Sequence, residues 1–211
     1  MKLRNKIQRS GILFVISSPS GAGKTTLARR LIDIDNNIEL SISVTTRSPR
    51  KIEKNNKDYI FVDQKSFNNM ITKDMFLEHA EVFGNKYGTL KEPIIVKLQK
   101  GKDILFDIDW QGTQELKEKE SKHLVSVFIL PPSTKELEKR LLSRAQDSKE
   151  TVSKRMSEAV SEMTHWAEYD YVIINDDLEK TLKKLKGILE TERLKRERQT
   201  GLINFIREVI N

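Results

Sequence analysis

An α/β fold built around a central parallel sheet is what this 211-residue sequence predicts. That expectation rests on three features. Four apolar runs, Ile12–Ile16, Ile104–Asp109, Leu124–Leu130 and Tyr171–Ile174, read as buried strands. Stretches with apolar residues at helical spacing lie between them. The first run leads into Ser17-Ser18-Pro19-Ser20-Gly21-Ala22-Gly23-Lys24-Thr25-Thr26, a glycine-bearing loop that opens a helix at Leu27-Ala28-Arg29-Arg30-Leu31-Ile32.

Strand, loop, Gly-Lys-Thr and helix together give the context in which a phosphate-binding P-loop is recognised. Glycines let the backbone curl so that successive N–H groups point inward, and the helix start adds positive potential. Lys24 then reaches the β/γ-phosphates and the Thr25 hydroxyl serves Mg²⁺. Position 18 of this motif is normally glycine; here it is Ser18, which cannot enter glycine-only backbone regions freely.

Hydrophobic residues make up 37% of the chain and charged residues 33%, a composition for one globular domain with room for inserted subdomains. No run approaches the roughly 20 apolar residues of a membrane span. The basic start, Met1 to Lys6, runs directly toward the P-loop without the pattern of a cleaved signal, and the cytoplasm is the expected location. With no cysteine, disulfides and thiolate metal sites are excluded. The net charge of +7 raises nucleic acid as a partner. Lysines alternate with glutamates, however, as in Glu115-Leu116-Lys117-Glu118-Lys119-Glu120, which is the pattern of a solvated helix face, and no aromatic-basic motif appears.

Ile38 to Val44 alternates strictly and predicts one half-buried strand. Thr45-Thr46-Arg47-Ser48-Pro49-Arg50 follows. Pro49 stiffens this loop, and two guanidinium forks on it suit either a phosphate or plain solvation. Tyr59–Val62 predicts a short strand, Lys65–Lys73 a small helix, and Phe76–Phe83 a strand with Glu78 on the face of Phe76 and Ala80. Gly84-Asn85-Lys86-Tyr87-Gly88-Thr89 reads as a turn-rich loop. The stretch from Arg47 to Thr89 therefore reads as an insert into the βα pattern.

A helix is expected from Pro93 to Gln99. The strand after it ends in Asp107 and Asp109, at the carboxyl edge where open parallel sheets bind ligands. A carboxylate there either serves Mg²⁺ or caps the next helix. Ser133 and Glu136 form a capping box for the helix that carries Arg140 and Arg144 on one face. A polar break at Ala145–Glu150 precedes a second helix, with Arg155 near its start and Val152, Met156, Ala159, Val160, Met163 and Trp166 as its packing stripe. Helix, break and helix with arginines beside the break is the layout of a closing lid, and equally of helix–helix salt bridges. Asn175-Asp176-Asp177 is a turn. Leu178, Leu182, Leu185 and Leu189 mark one helix and Ile203, Ile206 and Ile210 another, both expected to cover the sheet.

Taken together, the P-loop, S-V-T-T-R-S-P-R from Ser43, F-G-N-K-Y-G-T from Phe83, D-I-D-W-Q-G from Asp107, the Arg140–Arg144 pair and Asn175-Asp176-Asp177 closely resemble the guanylate kinase family, from about Ile12 to Leu189. The resemblance implies a P-loop NTPase-like three-layer fold with a central parallel sheet, an inserted GMP-binding subdomain and a helical lid. It divides the chain into a core (about 10–42, 90–138 and 157–211), an insert (about 43–89) and a lid (about 139–156). It implies transfer of the ATP γ-phosphoryl group to GMP, and to dGMP, with Mg²⁺ as cofactor. Ser20, Gly21, Ala22, Gly23, Lys24, Thr25, Thr26 and Asn175 would then meet ATP. Ser43, Glu78, Thr89 and Asp109 would hold guanine, and Arg47, Arg50, Tyr59 and Tyr87 the acceptor phosphate. Thr25 and Asp107 would serve the metal, and Lys24, Arg140, Arg144 and Arg155 the catalytic charge.

The chemistry of the base agrees independently. Guanine offers O6 as acceptor and N1–H and N2–H as donors, which suit a Ser43 hydroxyl and an ionised Glu78. Adenine would turn its N1 lone pair toward that carboxylate, leaving buried polar groups unpaired. Two further departures from the family pattern are Lys51-Ile52-Glu53, in place of proline-glycine-glutamate, and Arg144-Ala145-Gln146, without glycine after the arginine. A catalytically inactive scaffold of the same fold is the rival reading. Such a scaffold is expected to lose the P-loop lysine or lid arginines, which this chain keeps.

Overall fold

The computed structural model describes residues 7–82, 84–144 and 149–210, with the side chains of residues 143, 144 and 149–152 outside the description. In chain order, β1 (Leu13–Ser17) leads through the glycine loop to α1 (Lys24–Ile34) and β2 (Ile38–Leu40). Next come β3 (Ser43–Thr45), β4 (Ile60–Phe61), α2 (Gln64–Thr72), β5 (Phe76–Val82) and β6 (Asn85–Leu90). These are followed by α3 (Lys91–Gln99), β7 (Asp103–Asp107), α4 (Trp110–Glu120), β8 (Leu124–Leu130), α5 (Thr134–Arg144) and α6 (Lys149–Met163). A 3-10 turn, Thr164–Glu168, leads to β9 (Tyr171–Ile174), α7 (Leu178–Arg193) and α8 (Leu202–Ile210).

Five strands form an all-parallel sheet in the order β2-β7-β1-β8-β9. Every residue of the central strand β1 is buried, because helices cover both of its faces. Phe14 and Ile16 pack with Leu27 and Leu31 of α1 and with Leu182, Leu185 and Leu189 of α7. Leu13 and Val15 turn to the other side, against Ile94 and Leu98 of α3 and Leu116 of α4. A strand buried on both faces is mostly apolar, and its few polar residues are hydrogen-bonded, as Asp103 and Ser126 are here, which is why β1, β7 and β8 stand out in the sequence.

A second sheet, in the order β4-β3-β6-β5, is mixed: β3 runs parallel to β4 and antiparallel to β6, which is antiparallel to β5. One face packs on α2 through Val44, Phe67 and Phe76. The Phe67 and Phe76 rings stack at 4.7 Å. The other face is left for the site.

Several expectations are corrected. The alternating run Ile38–Val44 is two strands, β2 in the parallel sheet and β3 in the mixed one. The sequence alternation runs on through the change of sheet at Ser41 and Ile42, but burial does not follow it: Leu40 is exposed and Ser41 buried where the chain crosses. Gly84–Thr89 is not a loop: Asn85–Leu90 is β6, paired on both sides. Its glycine and asparagine reflect a tight turn at Gly84, whose φ is 73°, and close packing at Gly88, where an added Cβ would lie 2.9 Å from Phe76. Glu78 does not share a face with Phe76. A bulge between them pairs Phe76 with Leu90 but Glu78 with Thr89, so Phe76 faces α2 with His79 while Glu78 faces away.

β9 is an edge strand, with only Ile173 buried. The packing stripe of α6 is narrower than expected: Ala159, Met156 and Met163 meet Leu137 and Leu141 of α5, whereas Val160 and Trp166 are exposed and Val152 lies outside the described side chains. Helix α8 does not cover the sheet. Ile203, Ile206 and Ile210 are exposed among the described residues, because α1 and α7 already fill that face.

At the amino edge of the parallel sheet, Asp103 is fully buried. It accepts from both terminal nitrogens of Arg9 at 2.7 and 2.8 Å, from the Ile12 N–H at 2.9 Å and from Arg193 Nε at 2.7 Å. Arg193 continues to Asp35. The site lies at the opposite, carboxyl edge.

Candidate active site

β1 ends beside β7, with Ile16 level with Asp107, so the P-loop and the aspartate leave the sheet side by side. Gly21 and Gly23 take φ values of 89° and 101°, in the left-handed region that favours glycine. An added Cβ on Gly23 would lie 2.6 Å from Asn175 Nδ2. Ser18 is not in that region, so serine is accommodated there without strain, its hydroxyl donating to the Pro19 carbonyl at 3.0 Å. Ser20 is exposed at the tip of the loop, Gly21 and Ala22 are buried, and Thr25 and Thr26 are exposed on the first turn of α1.

The Lys24 ammonium lies 2.8 Å from Asp107 Oδ1 and donates to the Ile108 carbonyl at 3.1 Å. The Thr25 hydroxyl donates to Asp107 Oδ2 at 3.2 Å. Lysine, threonine and aspartate thus converge on one spot, a hydroxyl and a carboxylate supplying hard oxygen donors. Mg²⁺ is commonly held by one or two carboxylates together with substrate phosphates, and this donor set fits it. Among the described residues there is no cluster of three or more histidine, cysteine or acidic side chains that would make an all-protein metal cage.

Cross-strand register assembles the other half. Ser43 pairs with Thr89 and Thr89 with Glu78, while Thr45 pairs with Tyr87 and Tyr87 with Ala80. Residues directly opposite share a face, so Ser43, Thr89, Tyr87 and Glu78 stand together on the side away from α2. The Thr89 hydroxyl donates to Glu78 Oε1 at 2.6 Å. Glu78 is 3% exposed, and its carboxyl is pushed up to about 7. Burial is the main cause, the Thr89 bond opposes it, and the carboxylates of Glu115 and Asp109 add to it. Asp109 caps α4, its Oδ1 accepting from the Gly112 N–H at 3.0 Å. The helix-cap reading of that carboxylate is therefore met, and it sits against Glu78 through Gly112, where an added Cβ would lie 3.1 Å from Glu78 Oε2.

Arg47 is held by several groups. Nη2 donates to both oxygens of Glu53 at 2.8 and 3.0 Å, and Nη1 to the Ser48 carbonyl at 2.7 Å. Its guanidinium stands 5.3 Å over the Tyr59 ring. The Tyr59 and Tyr87 rings meet edge-on at 6.1 Å. Arg50 is exposed. A cavity of about 430 Å³ joins the two halves and is lined by Thr25, Ser43, Arg50, Tyr59 and Asp107. Glu78, Thr89, Arg47, Tyr87 and Asp109 lie outside that lining.

Arg140 donates through Nε to Glu136 at 3.0 Å and through Nη2 to the Asn175 carbonyl at 3.4 Å. Ser133 Oγ accepts from the Glu136 N–H at 3.1 Å, the first half of the expected capping box. Arg155 is half-buried on α6. Arg144 closes α5, but its side chain lies outside the described residues, as do Ala145 and Gln146. The Asn175 side chain, 4% exposed, is turned beneath the P-loop and donates to the Ala22 carbonyl at 2.8 Å.

Sequence reasoning passed over the acids that hold the site. Glu53 clamps Arg47 and accepts from the Arg50 N–H at 2.7 Å. Glu162 of α6 accepts from the Ser20 N–H at 3.2 Å. Glu115 accepts from the His79 N–H at 2.6 Å beneath Glu78. Glu53 carried a signal, three residues after Arg50 in a stiffened turn; the other two look like ordinary helix-face charges.

The guanylate kinase family model matches residues 10–192. The guanylate kinase of Bradyrhizobium diazoefficiens is 55% identical over 95% of this chain and 92% of its own. That of Paramagnetospirillum magneticum is 53% identical over 96% and 95%. The crystal structure of guanylate kinase from Anaplasma phagocytophilum superposes with a TM-score of 0.78 at 39% identity, covering 96% of each chain.

Proposed function

The chain belongs to the guanylate kinase family, and from that membership we infer that it transfers the γ-phosphoryl group of ATP to GMP, giving ADP and GDP. The observation that carries the acceptor assignment is the row Ser43, Thr89 and Glu78: a hydroxyl donor for O6 and a buried carboxylate for N1–H and N2–H on one face. dGMP fits the same row.

We propose that Ser20 to Thr26 receive the donor phosphates, with Lys24 leaving Asp107 to meet them. Asn175 holds this loop from below and borders the donor base through its backbone. Mg²⁺, held by Thr25 and Asp107, would neutralise phosphate charge. Arg47, Arg50, Tyr59 and Tyr87 grip the acceptor phosphate, and Asp109 supports the guanine end. Phosphoryl transfer spreads charge over oxygens in flight, so alignment and positive charge matter more than a covalent step. Arg140, Arg144 and Arg155 supply that charge from residues 139–156, which we take as the lid over a core of residues 10–42, 90–138 and 157–211 and an insert of residues 43–89. No helix among the described residues is long and apolar enough to cross a membrane. We propose that the reaction takes place in the cytoplasm, where nucleotide substrates of this kind are available.

The scaffold alternative finds no support: the relatives this chain matches over nearly its whole length are guanylate kinases, and it keeps Lys24, Thr25, Arg140 and Arg144. A coupled assay with GMP, dGMP, AMP, UMP and CMP as acceptors tests the assignment. GMP and dGMP should react and AMP should be rejected by a factor of about 10⁴; equal use of AMP would sink it.

A further inference from the structure

A carboxyl side chain of the protein already sits on the P-loop. The Ser20 N–H, at the exposed tip of the loop, donates to Glu162 Oε2 at 3.2 Å, across 142 residues of sequence. A P-loop binds phosphate through such backbone N–H groups. The Glu162 carboxylate therefore takes one of the donors that the nucleotide needs. It is half-buried, near the Lys24 ammonium and the Asp109 carboxylate. Burial also holds its carboxyl above the usual range, against the pull of the Ser20 bond.

We propose that Glu162 is a displaceable occupant of the donor-phosphate cradle, a positioning residue that the ATP phosphates must move aside. The inference rests on the assignment of the P-loop to the donor. Two polar side chains that reach the loop backbone act differently. Asn175 is neutral and donates to a carbonyl, fixing the loop from outside the cradle. Glu162 is an acceptor on an N–H, competing with phosphate for the same donor and repelling it at close range. Its helix, α6, also carries Arg155, seven residues earlier. Displacing Glu162 releases the end of that helix from the P-loop, so arrival of the donor is coupled to the position of a lid arginine. Until the donor arrives, the Glu162 bond to the Ser20 N–H holds the tip of the loop in place.

The test is Glu162→Gln, which keeps size and one acceptor oxygen while removing the charge, beside Glu162→Ala, which removes both. Binding of MgATP and, separately, of inorganic tripolyphosphate is followed by calorimetry, and GMP binding serves as the control. The expected result is a donor affinity about three- to tenfold tighter in both variants, with tripolyphosphate changing in parallel and GMP affinity within about twofold of the parent. A merely structural role would instead lower the melting temperature and leave tripolyphosphate binding unchanged or weaker, and that pattern overturns the proposal. If Glu162→Ala does not fold, the isosteric variant decides. Wild-type protein that fails to phosphorylate GMP would refute the functional assignment itself. A working wild type with an unchanged donor constant in Glu162→Gln refutes only the displaceable occupant.

Discussion

Glu78 carries the sharpest conflict in the molecule, a carboxylate in a dry site whose task requires it to be ionised. With its carboxyl pushed up to about 7, a substantial fraction of Glu78 is protonated at neutral pH before GMP binds. Guanine needs the ionised form, because only an acceptor can take N1–H and N2–H together. GMP binding therefore releases a proton at neutral pH, and the apparent GMP affinity should rise with pH through about 7 and level off above it. The phosphate of GMP itself titrates near 6, so the control is Glu78→Gln. That variant should bind GMP about 100-fold more weakly and lose the pH dependence centred on about 7. The linkage sign for stability is the reverse of the usual carboxylate case. The folded value lies above the ordinary 4.5, so Glu78 favours the folded state most below 4.5, and that contribution is lost as pH rises to about 7. Lys24 makes a simpler prediction. Lys24→Met removes the ammonium from beside Asp107 at the partly exposed start of α1, and turnover should fall below detection while circular dichroism and the melting curve stay near the parent's.

In the loop from Thr46 to Asp58, one acid sets both arginines. Glu53 holds the Arg47 fork with both oxygens, accepts from the Arg50 N–H and donates its own N–H to the Arg50 carbonyl at 3.0 Å. It partly neutralises Arg47, which on its own would weaken phosphate binding. It also fixes the geometry of both arginines before the ligand arrives, and for an in-line transfer placement is the larger effect. Glu53→Gln should therefore raise the GMP KM about tenfold with the ATP KM unchanged, measured by steady-state titration of each substrate; a lowered GMP KM would mean that neutralisation wins. This element shows what the sequence could and could not say. Arg47 and Arg50 stood out from charge and Pro49 as either a phosphate grip or a solvated loop, and only the family resemblance chose between the two, while Lys51-Ile52-Glu53 stood out as a variant turn. The clamp was not legible, because an exposed-looking glutamate has the same local signature whether or not it reaches back six residues. Strands β1, β7 and β8 were readable because burial on both faces leaves little choice of residue. β2 and β3 were run together because one alternating pattern served two sheets. The bulge at Leu77, which turns Glu78 into the site, leaves no mark in a seven-residue strand of mixed polarity.

At the scale of the whole molecule, stability and chemistry occupy opposite edges of one sheet. The P-loop, Asp107 and Asp109 leave its carboxyl edge, where ligands of open parallel sheets bind. The amino edge is tied by Asp103, which gathers Arg9 from the segment before β1 and Arg193 from the end of α7, with Asp35 after α1 as a second anchor. Asp103 is fully buried, whereas the two arginine side chains keep 12% and 17% of their exposure. Asp103→Asn retains the shape but leaves two guanidinium groups facing a neutral amide, with one of its heavy atoms now a donor. Removing one partner of a buried charge network costs about 3–5 kcal/mol, and the residual hydration of the arginines places this case near 3. For a chain of this length each kcal/mol moves the melting temperature by about 2–4 °C, so a fall of roughly 6–12 °C is expected. Because the tie is separated from the cavity by the length of β1 and β7, kcat and both KM values should stay within about twofold of the parent below the new transition. A variant that melts early yet works normally when cold would show that the sheet transmits no strain from its amino edge to the phosphates. If the KM for either nucleotide rose in step with the loss of stability, the two edges would be coupled and the parallel sheet would have to be treated as part of the site.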